Sequence, residues 1–177
     1  MSRGVTVWSF LGAMTLFSGF VFAETTIYDV AKFSWGSNIG WISWQSGVEH
    51  DARFIYSSAS GPTLYASGYI YSANVGWINL GSQPKNGIRY MNDAADDFGV
   101  NLDYILAQNA YILSGYAWGA NIGWINFDVK QQAGEENQPR LDNNTGTLKG
   151  YAWGANVGWI SLESVKESSA NDWELYE

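Results

Sequence analysis

Apolar and polar residues alternate with a period of two at four places along the chain, and each alternating run is broken once by two small residues and an asparagine. The four runs are residues 32–44, 68–80, 115–127 and 150–162. Each run has aromatic residues before the break and Gly-Trp-Ile after it, as in GYAWGANIGWINF. Alternation on both sides of such a break is typical of a β-hairpin. The sequence therefore predicts four antiparallel hairpins.

The loop of each hairpin is predicted to contain three residues, which are residues 119–121 in the third copy. Its last residue is Asn, which tolerates the left-handed backbone conformation better than most residues. This register places Trp118 opposite Ile122 and gathers the aromatic rings on one face of the hairpin, with small residues on the other. A loop of residues 120–121 is the competing register, and it would place Trp118 opposite Gly123.

A further strand and turn precede each of the last three hairpins, in residues 52–68, 99–115 and 140–150. The repeating unit is therefore predicted to be a three-stranded meander. The first hairpin has only residues 24–31 before it within the predicted mature chain, so its unit lacks one strand, and residues 168–177 are a candidate to supply it. If the same chain supplies the missing strand, the units close into a barrel or small propeller. Supply between chains would build a polymer, and frayed termini are the third alternative.

The fold class that follows is all-β, with the four units forming one compact array as a barrel, a small propeller or stacked sheets. The aligned asparagines show one longer interval, which places an insertion at about residues 84–100. We expect this insertion to be a loop, because added length costs little there. Residues 24–177 then form a single β-repeat domain. The asparagines that define the spacing are Asn38, Asn74, Asn121 and Asn156.

The N-terminal residues 1–23 have the pattern of a signal peptide, with Arg3 before an apolar stretch and Ala23 at the expected cleavage point. Without Arg3 the chain has 8 basic and 17 acidic residues, a net charge of −9 (9 − 1 = 8; 8 − 17 = −9). This charge argues against nucleic acid and anionic lipid as partners. The sequence thus predicts a protein that is secreted, on the cell surface or in the periplasm, with no membrane span in the mature chain.

The repeat resembles a Gly-Tyr-Ala-Trp-x-x-Asn-x-Gly-Trp-Ile tandem repeat of exported bacterial proteins. Residues 115–125 and 150–160 match this pattern in full, and residues 68–78 and 32–42 match it with Tyr71 and Phe33 at two aromatic positions. The resemblance implies an exported bacterial repeat protein, and it implies no activity.

Candidate chemistry is sparse along the chain. The absence of Cys excludes disulfides and thiolate metal sites, and the single His50 lacks the partners of a hydrolase. We therefore expect no enzyme activity and no cofactor, with His50 in a solvated turn. The acidic residues of the insertion are oxygen ligands of the type that calcium takes, although their spacing does not match a calcium loop. These candidate calcium ligands are Asp93, Asp96, Asp97 and Asp103.

Two functions fit this repetitive, acidic chain. The first is a structural or adhesive extracellular protein that partners with itself or another extracellular protein, with its tryptophans packed in the core or between repeat units. The second is a carbohydrate-binding module in which exposed rings stack on sugars and repetition gives avidity. The residues that define the repeat and serve either packing or binding are Trp35, Trp41, Trp77, Trp118, Trp124, Trp153, Trp159, Asn38, Asn74, Asn121 and Asn156.

Overall fold

A computed structural model of the protein describes residues 25–57 and 63–167. The predicted signal peptide and residues 168–177 lie outside this part of the chain. The strands are β1 (Ile27–Gly36), β2 (Gly40–Ser43), β3 (Arg53–Ser57), β4 (Thr63–Ser67), β5 (Tyr69–Ser72), β6 (Gly76–Asn79), β7 (Val100–Ile105), β8 (Ala110–Gly119), β9 (Gly123–Asn126), β10 (Arg140–Asp142), β11 (Leu148–Lys149), β12 (Tyr151–Gly154), β13 (Gly158–Ser161) and β14 (Val165–Glu167). One short helix, α1 (Lys130–Ala133), and two 3-10 turns, Leu106–Gln108 and Glu135–Asn137, lie between them.

The four predicted hairpins form a closed, eight-stranded antiparallel barrel. They are β1–β2, β5–β6, β8–β9 and β12–β13. Neighbouring hairpins pair in chain order through β2–β5, β6–β8 and β9–β12, and β13 returns to pair with β1. The all-β prediction is thus confirmed. Of the arrangements that the sequence left open, the barrel is the one that the chain forms.

The predicted lead-in strands form a second tier below the barrel. β3 pairs with β4, β7 pairs with the first half of β8, and β10 pairs with β11. Each second strand then bends into the barrel, so the three-stranded meander predicted for the last three units is confirmed. The bend lies at the glycine that opens each motif, namely Gly68, Gly115 and Gly150, all with positive φ.

The strand missing from the first unit is supplied from within the chain. β14 pairs with the first half of β1, with Ile27 opposite Glu167 and Lys32 opposite Val165. The Val165 side chain is fully buried there. The supplying residues directly precede the predicted segment 168–177, and the barrel itself closes through β13. Closure within one chain is therefore the outcome among the three alternatives for the described residues.

The barrel interior is filled by the isoleucine of each Gly-Trp-Ile sequence, and this explains why that position does not vary. Eight strands enclose just enough space for side chains of moderate size. The last motif position carries a larger apolar residue that is buried below the barrel. The interior isoleucines are Ile42, Ile78, Ile125 and Ile160, and the larger residues are Trp44, Leu80, Phe127 and Leu162.

The register of the hairpins differs from both registers considered from the sequence. Gly119 lies opposite Gly123 and Trp118 opposite Trp124, so the loop consists of residues 120–122. The positive φ expected for the asparagine belongs instead to Gly123, at +76°. The prediction was wrong because glycine reaches this conformation without steric cost, which leaves the asparagine side chain available for another role. Despite this difference in register, the aromatic residues and the small residues still lie on opposite faces of the hairpin.

Candidate functional site

The outer surface of the barrel carries three aromatic residues on each hairpin. Two lie on the first strand of the hairpin and one on the second, and all of them point away from the barrel interior. We call these twelve residues the aromatic belt. Its members are Phe33, Trp35 and Trp41 in the first hairpin, Tyr69, Tyr71 and Trp77 in the second, Tyr116, Trp118 and Trp124 in the third, and Tyr151, Trp153 and Trp159 in the fourth.

The rings of each hairpin contact one another across the strand pair. Trp118 and Trp124 lie directly opposite, with ring centroids 4.7 Å apart at 61° between planes. Trp35 and Trp41 repeat this edge-to-face arrangement at 4.9 Å. Such contacts hold the rings in place without burying them. The belt is therefore an ordered set of aromatic clusters on the surface.

The tryptophans of the belt are exposed, which contradicts the core packing expected for Trp118, Trp124, Trp153 and Trp159. Between 39 and 46% of each of these four residues is accessible, and Trp41 reaches 59%. The physical reason is the narrow barrel interior, which accepts Ala, Ile and Gly but has no room for the seven indoles of the belt. Of the belt, only the tryptophans were predicted from the sequence to serve packing or binding. The Tyr and Phe members align with them in the repeat, and that signal could have identified them.

The asparagine of each motif is a structural residue that joins neighbouring hairpins. Asn121 donates from Nδ2 to the carbonyl oxygen of Val75 in the preceding hairpin, at 3.0 Å. Asn74 and Asn156 make the same bond to Ile39 and Ile122, and Asn38 bonds to Val157 of the last hairpin at 3.1 Å. The four bonds form a closed ring around one end of the barrel. These amide donors are engaged in the barrel end, which argues against their role as ligand-binding groups.

Replacing Asn121 with alanine is expected to lower the free energy of unfolding by about 1 kcal/mol, because the Val75 carbonyl loses its side-chain donor. Urea denaturation followed by circular dichroism measures this change. Ala120→Ser is the matched control in the same loop, because Ser37 occupies the equivalent position in the first hairpin. An Asn121→Ala variant as stable as this control would contradict the bonding role of the asparagine.

The candidate calcium ligands do not converge. Asp96 forms an exposed ion pair with Lys85 at 2.8 Å, and the Lys85 hydrogen bond lowers the pKa of Asp96. Asp97 is buried and accepts hydrogen bonds from backbone N–H groups, while Asp103 pairs with Arg89. Across residues 25–57 and 63–167, no three acidic, His or Cys side chains are grouped so as to hold a metal ion. Three of the four carboxylates instead have structural partners, Asp96 and Asp103 in ion pairs and Asp97 in hydrogen bonds to the backbone.

His50 lies in an exposed turn, as expected from the sequence. The neighbouring Asp51 organises this turn, because its buried carboxylate accepts hydrogen bonds from the backbone N–H groups of Ser46, Gly47 and Val48. The His50 carbonyl oxygen accepts from the Tyr69 backbone at 2.8 Å. The arrangement serves to connect β2 to the second tier.

Two cavities lie beside the belt, where chain segments outside the repeat pack against it. One of about 340 Å³ is lined by Ala133, Asn137, Tyr151 and Trp159. The other, of about 380 Å³, lies beside the third hairpin, and we call it the repeat-three pocket. It is lined by Arg89, Tyr90, Met91, Asn92, Asn101, Ser114, Gly115, Tyr116 and Asp128. The repeat pattern does not indicate this pocket, since most of its residues lie outside the repeat motifs.

No protein family, curated protein or solved structure matches this chain. Within the described residues, no helix has the length and apolar character needed to cross a membrane.

Proposed function

We propose that this protein is a non-enzymatic, exported glycan-binding protein, and that the aromatic belt is its binding surface. The observation that supports this proposal is the outward orientation of the belt, with at least 36% exposure for every member except the half-buried Tyr151. Leaving a large apolar side chain in water forgoes about 1.5–3 kcal/mol of burial free energy. Repeated exposure of this kind marks an interaction surface.

The chemistry of the belt suits sugars. The face of an aromatic ring carries negative electrostatic potential and attracts the slightly positive C–H groups that line one face of a pyranose. The net charge of −8 disfavours phosphate-rich polymers and anionic lipid, whereas a neutral glycan has no charge to repel. A neutral glycan is therefore the ligand class that best fits both the rings and the charge.

The geometry of the belt suits a flexible, repetitive ligand. The four aromatic clusters surround the barrel and point in different directions, so a flat surface or a rigid partner reaches only part of them. A polymer with repeating units can follow the circumference and contact several clusters, which raises affinity through avidity. Adhesion to a glycan-bearing surface would follow from this binding. The alternative of self-assembly by strand completion has less support, because β14 occupies the position beside β1 on which it depended.

Titration of the protein with soluble hexasaccharides of cellulose, chitin, xylan and mannan, followed by tryptophan fluorescence, tests the proposal. We expect at least one series to change the emission of the belt and to protect it from acrylamide quenching. The double variant Trp41→Ala, Trp77→Ala removes one ring from each of two clusters. It is expected to weaken binding of the corresponding polymer about tenfold, because two contacts of an avid interaction are lost.

The control is Leu106→Ala, which removes a side chain that is 81% exposed but lies outside the belt. Its affinity should equal that of the unaltered protein. Failure of all four series and their polymers to bind would contradict the proposal. Equal affinity of the double variant and the control would also contradict it, because binding would then not involve the belt.

A further inference from the structure

The fourfold regularity of the belt is interrupted at the third hairpin by the segment between β6 and β7. Phe98 of this segment packs edge-to-face on Trp124, with ring centroids 5.1 Å apart at 83°. The repeat-three pocket lies between the segment and Tyr116 of the belt. The third hairpin therefore combines an aromatic ring with a concave wall that is formed by the segment between β6 and β7.

The wall is built from residues that are fixed by internal hydrogen bonds. Asn92 has a φ of 57°, and its Oδ1 accepts a hydrogen bond from the Gly99 backbone at 3.0 Å. The buried Asn101 accepts from the Tyr90 backbone N–H through Oδ1 and donates from Nδ2 to the Tyr90 carbonyl oxygen. The Tyr90 hydroxyl donates to the Ala66 carbonyl oxygen, and burial raises its pKa. The pocket is thus formed before any ligand arrives, which is typical of small-molecule sites.

The pocket presents polar groups beside the ring of Tyr116. Asp128 is exposed, and its hydrogen bonds to Asn126 involve only the Asp128 backbone. Within the described residues, its carboxylate has no hydrogen bond or ion pair. Arg89, which also lines the pocket, forms an ion pair with Asp103 at 3.3 Å. The Asp128 carboxylate is therefore an available hydrogen-bond acceptor in the pocket, whereas the positive charge of Arg89 is balanced by Asp103.

We infer that the repeat-three pocket binds one neutral sugar residue, which stacks on Tyr116 and donates hydroxyl hydrogen bonds to the Asp128 carboxylate. Its volume of about 380 Å³ lies at the small end of ligand sites and suits a single ring with part of its neighbour. An anionic sugar is disfavoured because Asp128 repels it. This inference rests on the proposed glycan binding and adds a site that selects the sugar, since directional hydrogen bonds discriminate better than stacking alone.

The test compares Asp128→Asn with Glu163→Gln. Both residues directly follow the last motif position, in the third and fourth hairpins, so each variant removes one charge at an equivalent place. Glucose, galactose, mannose, N-acetylglucosamine and glucuronic acid are titrated by calorimetry, with circular dichroism to verify the fold. We expect one neutral monosaccharide to bind the unaltered protein, with affinity about tenfold weaker in Asp128→Asn and within about twofold in Glu163→Gln.

Glucuronic acid is expected to bind the unaltered protein about tenfold more weakly than the preferred neutral sugar. The inference is overturned if none of the neutral sugars binds, or if Asp128→Asn and Glu163→Gln bind them equally. The Trp41→Ala, Trp77→Ala variant separates this result from the proposed function, because it should weaken polymer binding about tenfold and leave monosaccharide binding unchanged. Loss of monosaccharide binding in Asp128→Asn, with no loss of polymer binding in the tryptophan variant, would support the pocket and contradict the belt.

Discussion

Replacing Gly115 with alanine is expected to lower the free energy of unfolding by about 3 kcal/mol or more. Gly115 bends β8 from the second tier into the barrel with a φ of +91°, a conformation that residues with a side chain rarely adopt. A Cβ atom there would lie 2.3 Å from the carbonyl oxygen of Gly99 and 2.7 Å from Nδ2 of Asn92. Backbone strain and steric overlap therefore add, and thermal and urea denaturation measure the loss.

The control for this substitution is Lys32→Ala, at the equivalent position of the first motif. Lys32 already carries a side chain, and its φ is not positive. Its ion pair with Asp29 is on the surface, where such pairs contribute little to stability. Lys32→Ala should therefore unfold close to the unaltered protein. A Gly115→Ala variant of equal stability would mean that the chain does not bend at this residue.

Replacing Ile42 with alanine is expected to cost about 3–4 kcal/mol, because the side chain is fully buried in the barrel and its loss leaves a cavity. The adjacent Trp41 is larger but 59% exposed, and its ring contacts are with Phe33 and Trp35 on the surface. Trp41→Ala should therefore cost only about 1 kcal/mol. Urea denaturation of the two variants compares the two faces of one strand directly.

The opposite ranking would contradict the assignment of the isoleucines to the barrel interior and of the aromatic rings to its outer surface. If Trp41→Ala destabilised the protein more than Ile42→Ala, the rings would have to be buried and the isoleucines exposed. The same comparison at Trp159 and Ile160 in the fourth hairpin provides an internal repeat of the test, since 39% of Trp159 is accessible and Ile160 is buried.

The hairpins and the lead-in strands could be predicted from the sequence because their information is local. Alternation with a period of two defines a strand, and a sequence such as Asn-Asn-Thr-Gly at residues 143–146 defines a turn within a few positions. The repetition strengthened the prediction of the hairpins, because four aligned copies show which positions vary and which do not. These features required no knowledge of which hairpins contact each other.

The orientation of the aromatic face could not be predicted from local information. Large aromatic residues usually dominate cores, and this general tendency predicts packed positions for Trp118 and Trp124. Only closure of eight short strands shows that the interior is too narrow for indoles and that Ala117 and Ile125 occupy it instead. The competition between ring size and barrel radius is a property of the whole sheet.

The hairpin register and the repeat-three pocket could not be predicted from local sequence either, because both depend on contacts between residues far apart in the chain. The partner of Asn121 is Val75, which lies 46 residues earlier in the chain, so the bond gives no signal within one repeat. The repeat-three pocket combines Arg89 and Asn92, from an irregular segment, with Tyr116 and Asp128. Without a periodic pattern, an irregular segment gives little indication of where it packs.

The bond from Asn38 to Val157 joins residues 119 positions apart, and this has a consequence for how the molecule is made. During synthesis the first hairpin emerges early, yet its neighbour on one side does not exist until the fourth hairpin has been made. Contacts between such distant parts of a chain form late and slow the search for the native state. The first hairpin must therefore wait with an unpaired strand, and a holding chaperone at this stage would protect it from association with other nascent chains.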